Sequence, residues 1–394
     1  MIHLSQSPTD PAFVQNPYPF YDRLRRAGKM VWWDDYDMPV IANYEGVSMA
    51  LRDRRFGREA PQGFAPDTPP HLADFYAVEA NSMLELEGPR HKRLRGLVLR
   101  AFTSRRIKSL EADIAQIAHE LIDTLPQDAP FDLITRFAQP LPVRIIARLL
   151  GVPETMAPEL LAWSNAMVTV YQASRTKAGE IAAAKAARDF STFLRGYIDS
   201  RRGDPRDDLI SELIAAEEDG EKLTTDEMIA TCILLLNAGH EATVHTLGNG
   251  VKALIEHDFG RNVLTDQRIE ATLEEILRFD PPLHLFTRWV LEDTRFLDHD
   301  LKRGDRIGLL LAAANHDPEA FDGPDSFEPE RRIKQNMSFG AGAHFCLGAP
   351  LARLEMRVAL QVLFDRCGHL WLSAPPRYAD LYHFHGLEQL MLRR

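Results

Sequence analysis

Cys346 has the most chemistry within reach of any residue in this chain. It sits in the run Phe339-Gly340-Ala341-Gly342-Ala343-His344-Phe345-Cys346-Leu347-Gly348, a glycine-punctuated loop that leads into a helical pattern. The first turn of a helix leaves backbone N–H groups unpaired. Aimed at a sulfur, they favour thiolate over thiol. Such a thiolate is either a nucleophile or an axial ligand to a metal. The commoner fate of a lone cysteine is a small buried hydrophobe. A second group is Glu241, in Asn237-Ala238-Gly239-His240-Glu241-Ala242-Thr243. Alone it reads as a solvated helix carboxylate. However, it follows Cys232–Leu236, which is apolar on all sides and so must be buried. A third is the pair Glu275 and Arg278, which share one helix face at i and i+3. By itself such a pair is an ordinary surface feature.

Together these segments resemble one family. F-G-x-G-x-H-x-C-L-G is similar, at every position of the motif, to the haem-binding loop of cytochromes P450. The E-x-x-R pair then resembles that family's core motif. Asn315-His316-Asp317-Pro318 and Phe327-Glu328-Pro329-Glu330-Arg331 resemble the segments between the two. The resemblance implies that Cys346 is the proximal ligand to the iron of haem b (iron protoporphyrin IX). It implies a buried structural cluster of Glu275, Arg278 and Arg331 behind the cysteine loop. Phe339, Gly340 and Gly348 would cradle the haem, with Ala238 and Gly239 on its opposite face. Buried propionates need cationic partners, and His91, Arg95, Arg288 and His344 match the family positions. Gly239 costs about 1 kcal/mol against alanine within a helix. Close helix packing explains it as well as a flat cofactor does, and the resemblance favours the cofactor.

The oxygen-groove motif of the family is A-G-x-[DE]-T, and here the chain departs from it. Ala242 stands where the threonine is usual, and Thr243 follows one place later. In the family the acid and the alcohol relay protons to dioxygen as it is reduced. One helix position is about 100° of rotation and 1.5 Å of rise, so Thr243 does not simply replace Ala242. Three routes stay open: local unwinding that brings Thr243 to the groove, water held by Glu241, or a hydroxyl on the substrate. By register with the family, Met83, Leu84, Leu234, Asn237, Ala238, His284, Leu285 and Phe286 would line the substrate pocket. Such a lining suits a small to medium hydrophobic molecule, with Asn237 and His284 as its polar orienters.

The elements that must position these groups are legible in outline. The expected fold is mainly α with a smaller β-rich part, the cytochrome P450 fold, as one domain over residues 1–394. Residues 17–27 read as a short amphipathic helix, and 29–42 as a β-hairpin around an acidic turn. Residues 88–280 carry the helical core, with helical periods unbroken from about 88 to 258. Residues 296–312 return to strands, with Asp300–Asp305 as their turn. Residues 349–366 form a helix, and 369–394 short strands and loops. The longest helix starts at a capping box, Thr224-Thr225-Asp226-Glu227, and runs without proline to about His257. At about 1.5 Å per residue it spans roughly 50 Å.

Composition agrees. The net charge of −11 disfavours nucleic-acid binding. No stretch approaches the roughly 18 apolar residues of a membrane span, and residues 1–13 carry no export pattern. Three cysteines without C-x-x-C spacing argue against disulfides and fit a reducing cytoplasm. Between Glu87 and Glu111 lie eight Lys or Arg and no acid. In the family this region flanks the cysteine side of the haem. It reads as a dock for an acidic electron carrier or as a cluster answered by acids from elsewhere. The length leaves no room for a fused reductase. The expectation is therefore a haem-thiolate monooxygenase using O2 and electrons from a separate ferredoxin or flavodoxin with its reductase. The alternatives are a peroxide-using haem-thiolate enzyme and a non-catalytic haem protein that binds a ligand or gas.

Overall fold

The computed structural model describes residues 1–218 and 220–394. Five helices organise it: α1 (Gly88–Ala101), α2 (Pro140–Leu150), α3 (Thr225–Glu256), α4 (Ile269–Phe279) and α5 (Ala349–Cys367). The capping box of α3 forms as its sequence requires. Thr224 Oγ1 accepts from Glu227 N at 3.2 Å, and Glu227 Oε2 accepts from Thr224 N at 2.9 Å. α3 then crosses the helical core and touches α2, α4 and α5 in turn. Its glycines mark the crossings. A Cβ on Gly239 would lie 3.1 Å from Ile146 Cδ1 of α2, and one on Gly250 would lie 2.9 Å from Ile276 Cγ2 of α4. Gly239 permits the close approach of α2.

The β-rich part is a six-stranded sheet. Its strands, in spatial order, are His3–Leu4, Val31–Trp33, Met38–Ile41, Arg306–Leu310, Leu285–Val290 and Phe56–Gly57. The expected hairpin is present, with Val31 opposite Val40 and Asp37 at φ 48 in its turn. Alternation along Arg306–Leu310 divides two cores. Ile307 and Leu309 face one with Ile41 and Val47, and Leu310 faces the other with Phe13 and Trp33. Leu285 shares that second core.

Three boundaries differ from the sequence reading. Asp300 and Leu301 are strand residues, paired with Arg295 and Thr294. The tip of that hairpin is Leu297-Asp298, both at positive φ as a two-residue hairpin turn requires. A second turn, at Lys302–Asp305, closes with Lys302 N donating to Asp305 Oδ2 at 2.7 Å. Strand character stops at Leu310, where Leu311–Asn315 turns helical. The helical stretch 88–258 is interrupted by short strands, among them Phe131–Asp132, which pairs with the C-terminal strand Met391–Arg393. Among the described residues no helix is long and apolar enough to cross a membrane.

Candidate active site

The cysteine loop is held from below by α4. Arg278 has five N–H donors, and all five are used. Nε and Nη2 reach Glu275 at 2.7 and 2.8 Å. Nη1 donates to the carbonyls of Asn315 and Pro324, and Nη2 also to that of Ser326, at 2.7–3.0 Å. Glu275 further accepts from Glu328 N at 2.8 Å and lies 3.2 Å from Arg331 Nε. Glu275 and Arg278 are both fully buried. From this cluster the loop is reached through Asn315 and Ser338. Met337 N donates to Asn315 Oδ1 at 2.7 Å, Asn315 Nδ2 to Ser338 Oγ at 2.9 Å, and Ser338 Oγ to Leu277 O at 2.6 Å. Sequence reasoning quoted Asn315 only within a segment and missed Ser338, because a lone polar residue carries no signal of its partner.

The loop itself is tight. Gly340 and Gly342 sit at φ 66 and 70, where only glycine is unstrained. A Cβ on Gly342 would fall 2.3 Å from Leu51 O. Cys346 N donates to Phe339 O at 3.0 Å, so the two ends of the loop are tied. The N–H groups of Gly348 and Ala349 point at the sulfur, and Arg95 and Arg353 add positive charge. Burial nevertheless dominates and holds the thiol above its usual pKa. The helix start alone therefore does not make the thiolate. A cation at the sulfur is needed, since metal coordination deprotonates a thiol outright.

The cationic residues expected around the haem gather on one side. His91 and His344 stack at 4.2 Å, and Arg95 Nη2 donates to Phe345 O at 2.7 Å. His344 Nε2 lies 2.8 Å from Glu87 Oε1, a partner that sequence reasoning missed. His91 is buried with its Nε2 unpaired, and burial pushes its pKa down to about 4. Arg288 is 4% exposed, and its one described hydrogen bond runs to Thr287 O. Burial lowers its pKa to about 9, and the neighbouring Arg58 adds to this. A buried guanidinium so poorly paired calls for an anion. Phe286, on the same strand face as Arg288, packs on the position of Gly340, and Arg353 caps the Phe339 ring at 4.6 Å.

The middle of α3 is less buried than the stretches on either side of it. Ala238 is exposed, and Leu234, Asn237, Gly239, Glu241 and Ala242 are half-buried. Asn237 Nδ2 contacts Met167 Sδ at 3.8 Å, and its Oδ1 is unpaired. Glu241 lies between two histidines, with His245 Nε2 at 3.4 Å and His240 Nδ1 at 3.8 Å. Burial opposes its charge, but these contacts outweigh that and hold its carboxyl below the usual range. Thr243 is 4% exposed, and α3 is unbroken there. Thr246 Oγ1 donates to Ala242 O at 2.7 Å. Local unwinding to bring Thr243 forward is not observed.

Two expected pocket residues are elsewhere. His284 is fully buried, its Nδ1 2.8 Å from Tyr21 Oη and its ring 4.4 Å from that of His385. Leu285 faces the sheet core. His284 therefore does not stand ready to orient a substrate. Met83 is buried and Leu84 half-buried, on a loop fixed by Arg58, which donates to Leu84 O at 3.3 Å and pairs with Glu85.

This arrangement has relatives. A family model described as Cytochrome P450 matches residues 15–258 and 268–374. The chain belongs to the cytochrome P450 family. It is 34% identical to the polyketide biosynthesis cytochrome P450 PksS of Bacillus subtilis, over 99% of this chain and 98% of that protein. It is 37% identical to the vitamin D(3) 25-hydroxylase of Pseudonocardia autotrophica, over 97% and 91%. Among solved structures, P450BioI, in complex with an acyl carrier protein ligated to hexadec-9Z-enoic acid, superposes with a TM-score of 0.90. It is 33% identical, over 97% of this chain and 99% of that one. The protein is thus a cytochrome P450 monooxygenase, with a haem cofactor, dioxygen and a redox partner as the family implies. The residues present fit a haem: a cysteine in a glycine cradle, a poorly paired buried Arg288 and His91, and small residues on the facing helix.

If Cys346 ligates the iron, the ferrous–CO complex has the strongly red-shifted Soret band of haem thiolates. Cys346→Ser abolishes that band, while Cys232→Ser and Cys367→Ser keep it. Glu275→Ala leaves Arg278 and Arg331 without their carboxylate, a loss of about 3–5 kcal/mol for a broken buried pair. The expected result is a severe drop in haem content per purified chain, measured by pyridine haemochrome. Normal loading would show the pair to be dispensable.

Proposed function

We propose that this P450 hydroxylates or otherwise oxidises a small to medium hydrophobic molecule, drawing electrons one at a time from a separate ferredoxin or flavodoxin and its reductase. The observation that carries the reading is the Cys346 loop with the poorly paired, buried Arg288 and His91 beside it. Cys346 serves as the iron ligand, with Phe339, Gly340 and Gly348 as the cradle and Ala238 opposite. Arg288, His91, Arg95 and His344 form the cationic side toward the propionates. Leu234, Asn237, Met83, Leu84 and Phe286 line the substrate side, and Glu241 lies on the proton route. The haem is haem b, as the resemblance to the family implies. Bound haem supplies oxygen activation, while these side chains bind, orient and exclude water. The protein works in the cytoplasm as one domain, 1–394, without nucleic acid or membrane as a partner. The names of its relatives, which include polyketide biosynthesis and a vitamin D(3) hydroxylase, support an apolar substrate.

Turnover with NADH, a ferredoxin and its reductase tests this reading against direct peroxide use, which the missing hydroxyl at Ala242 keeps in view. Activity with hydrogen peroxide alone would favour the second. Spin-state shifts across a lipophilic library identify the substrate.

The basic face is partly answered by acids, which narrows the dock. Arg93 pairs with Glu221 and Glu227, and Arg106 lies 2.5 Å from Asp207 and 3.5 Å from Glu212. Arg105 and Lys108 are exposed on the helix Ser104–Ser109. Arg105→Glu with Lys108→Glu should weaken ferredoxin-driven turnover at low salt and flatten its salt dependence, because surface attraction is screened beyond about 8–10 Å. The CO spectrum should not change. Equal turnover by this variant at low salt would place the dock elsewhere.

Because Thr243 is buried on an unbroken helix, Thr243→Ala should leave peroxide release per NADH unchanged. Ala242→Thr adds a hydroxyl on the accessible face. It should raise product per NADH with substrates that lack a hydroxyl group.

A further inference from the structure

α3 carries a second chemical group beside Glu241. His245 lies one turn on, and its Nε2 is 3.4 Å from Glu241 Oε2. The two side chains are 12% and 14% exposed, so this is not a solvated i,i+4 pair of the kind that contributes little. The ring is held from outside the helix. A Cβ on Gly386 would fall 1.7 Å from His245 Nδ1, so the ring lies directly on that backbone. Nδ1 is buried and has no hydrogen-bond partner. A nitrogen facing a carboxylate carries the hydrogen, which leaves Nδ1 as a bare acceptor. Beyond it runs the C-terminal segment with half-buried Phe384, ring centroids 6.4 Å apart, and with His385, whose pKa burial pushes down to about 3. His240 Nδ1 approaches the other oxygen of Glu241. Ala242, one position on from Glu241, supplies no hydroxyl.

We infer that His245 takes over the part of the missing hydroxyl, positioning the Glu241 carboxyl and resupplying it with protons. This rests on the reading that Glu241 faces the oxygen being reduced. Glu241, a carboxylate at rest, takes the Nε2–H proton of His245 at Oε2 and passes it on. Nδ1 takes one solvent proton as the Gly386 backbone yields, and a turn of the ring restores Nε2–H toward Glu241. One solvent proton enters for each proton passed, and no electron moves. His245 acts through Glu241 and is a positioning residue.

Hydrogen peroxide with guaiacol tests this without reductase or native substrate. Peroxide accepts two electrons and two protons from two guaiacol molecules to give two waters, and a proton must move between its oxygens. His245→Gln keeps an N–H for Glu241 but cannot pass a proton. Its kcat should fall about tenfold with KM for peroxide little changed, at or below the lower end of what a positioned proton donor contributes. His245→Ala should fall alike and recover in part with added imidazole. Gly386→Ala, outside the site, should reproduce the loss by displacing the ring. In ferrous–CO protein with nitrogen-15-labelled histidine, the His245 signal should show Nε2 protonated and should move in Glu241→Gln. Native kcat in both His245→Gln and Gly386→Ala would overturn the inference, as would a His245 signal indifferent to Glu241→Gln. A normal CO spectrum in all variants separates this failure from that of the monooxygenase reading, which would appear as a missing spectrum in the native protein.

Discussion

The cysteine loop hangs from one saturated guanidinium. Arg278 spends each of its donors on Glu275 or on a carbonyl of the 315–326 segment. A buried charge is tolerable only when it is so completely paired. The cost of any gap is what makes the segment rigid. Rigidity passes on through Asn315 and Ser338 to Met337, where the loop begins. The sulfur is therefore placed by a network anchored two elements away, not by the loop alone.

Electrostatics around that sulfur run against the intuitive order. A helix start, two N–H groups and two arginines all favour thiolate, yet burial wins in the protein by itself. The same desolvation acts on Arg288 and His91, which it drives toward their neutral forms. One cofactor with a central cation and peripheral anions relieves all three at once. The fold thus stores its unpaired groups where a haem would answer them.

α3 does two jobs with one geometry. Its glycines let α2 and α4 approach closely, and this fixes the helix in the core. Its middle turns Ala238, Glu241 and Ala242 to the accessible side. The helix is continuous through Ala242 and Thr243, and the polar chemistry of the groove falls to Glu241 and its histidine neighbours.

The sequence by itself determined the local devices: the glycine-cradled Cys346, the capping box at Thr224, the Glu275–Arg278 register and the hairpin at 31–41. Each is carried by short-range spacing, where backbone geometry leaves few choices. Tertiary structure alone decided the rest. His284 lies just before the strand that carries Phe286, yet it is drawn into the Tyr21–His385 cluster while Phe286 reaches the loop. The partners on each side, not the spacing, set that division. Arg106 looked free until Asp207, about a hundred positions on, met it. Gly239 meets Ile146 of a helix far back in the chain. His245 carried no signal until Gly386 closed on its ring. These contacts join residues far apart in the chain, and no local pattern encodes which distant backbone will arrive at a given side chain.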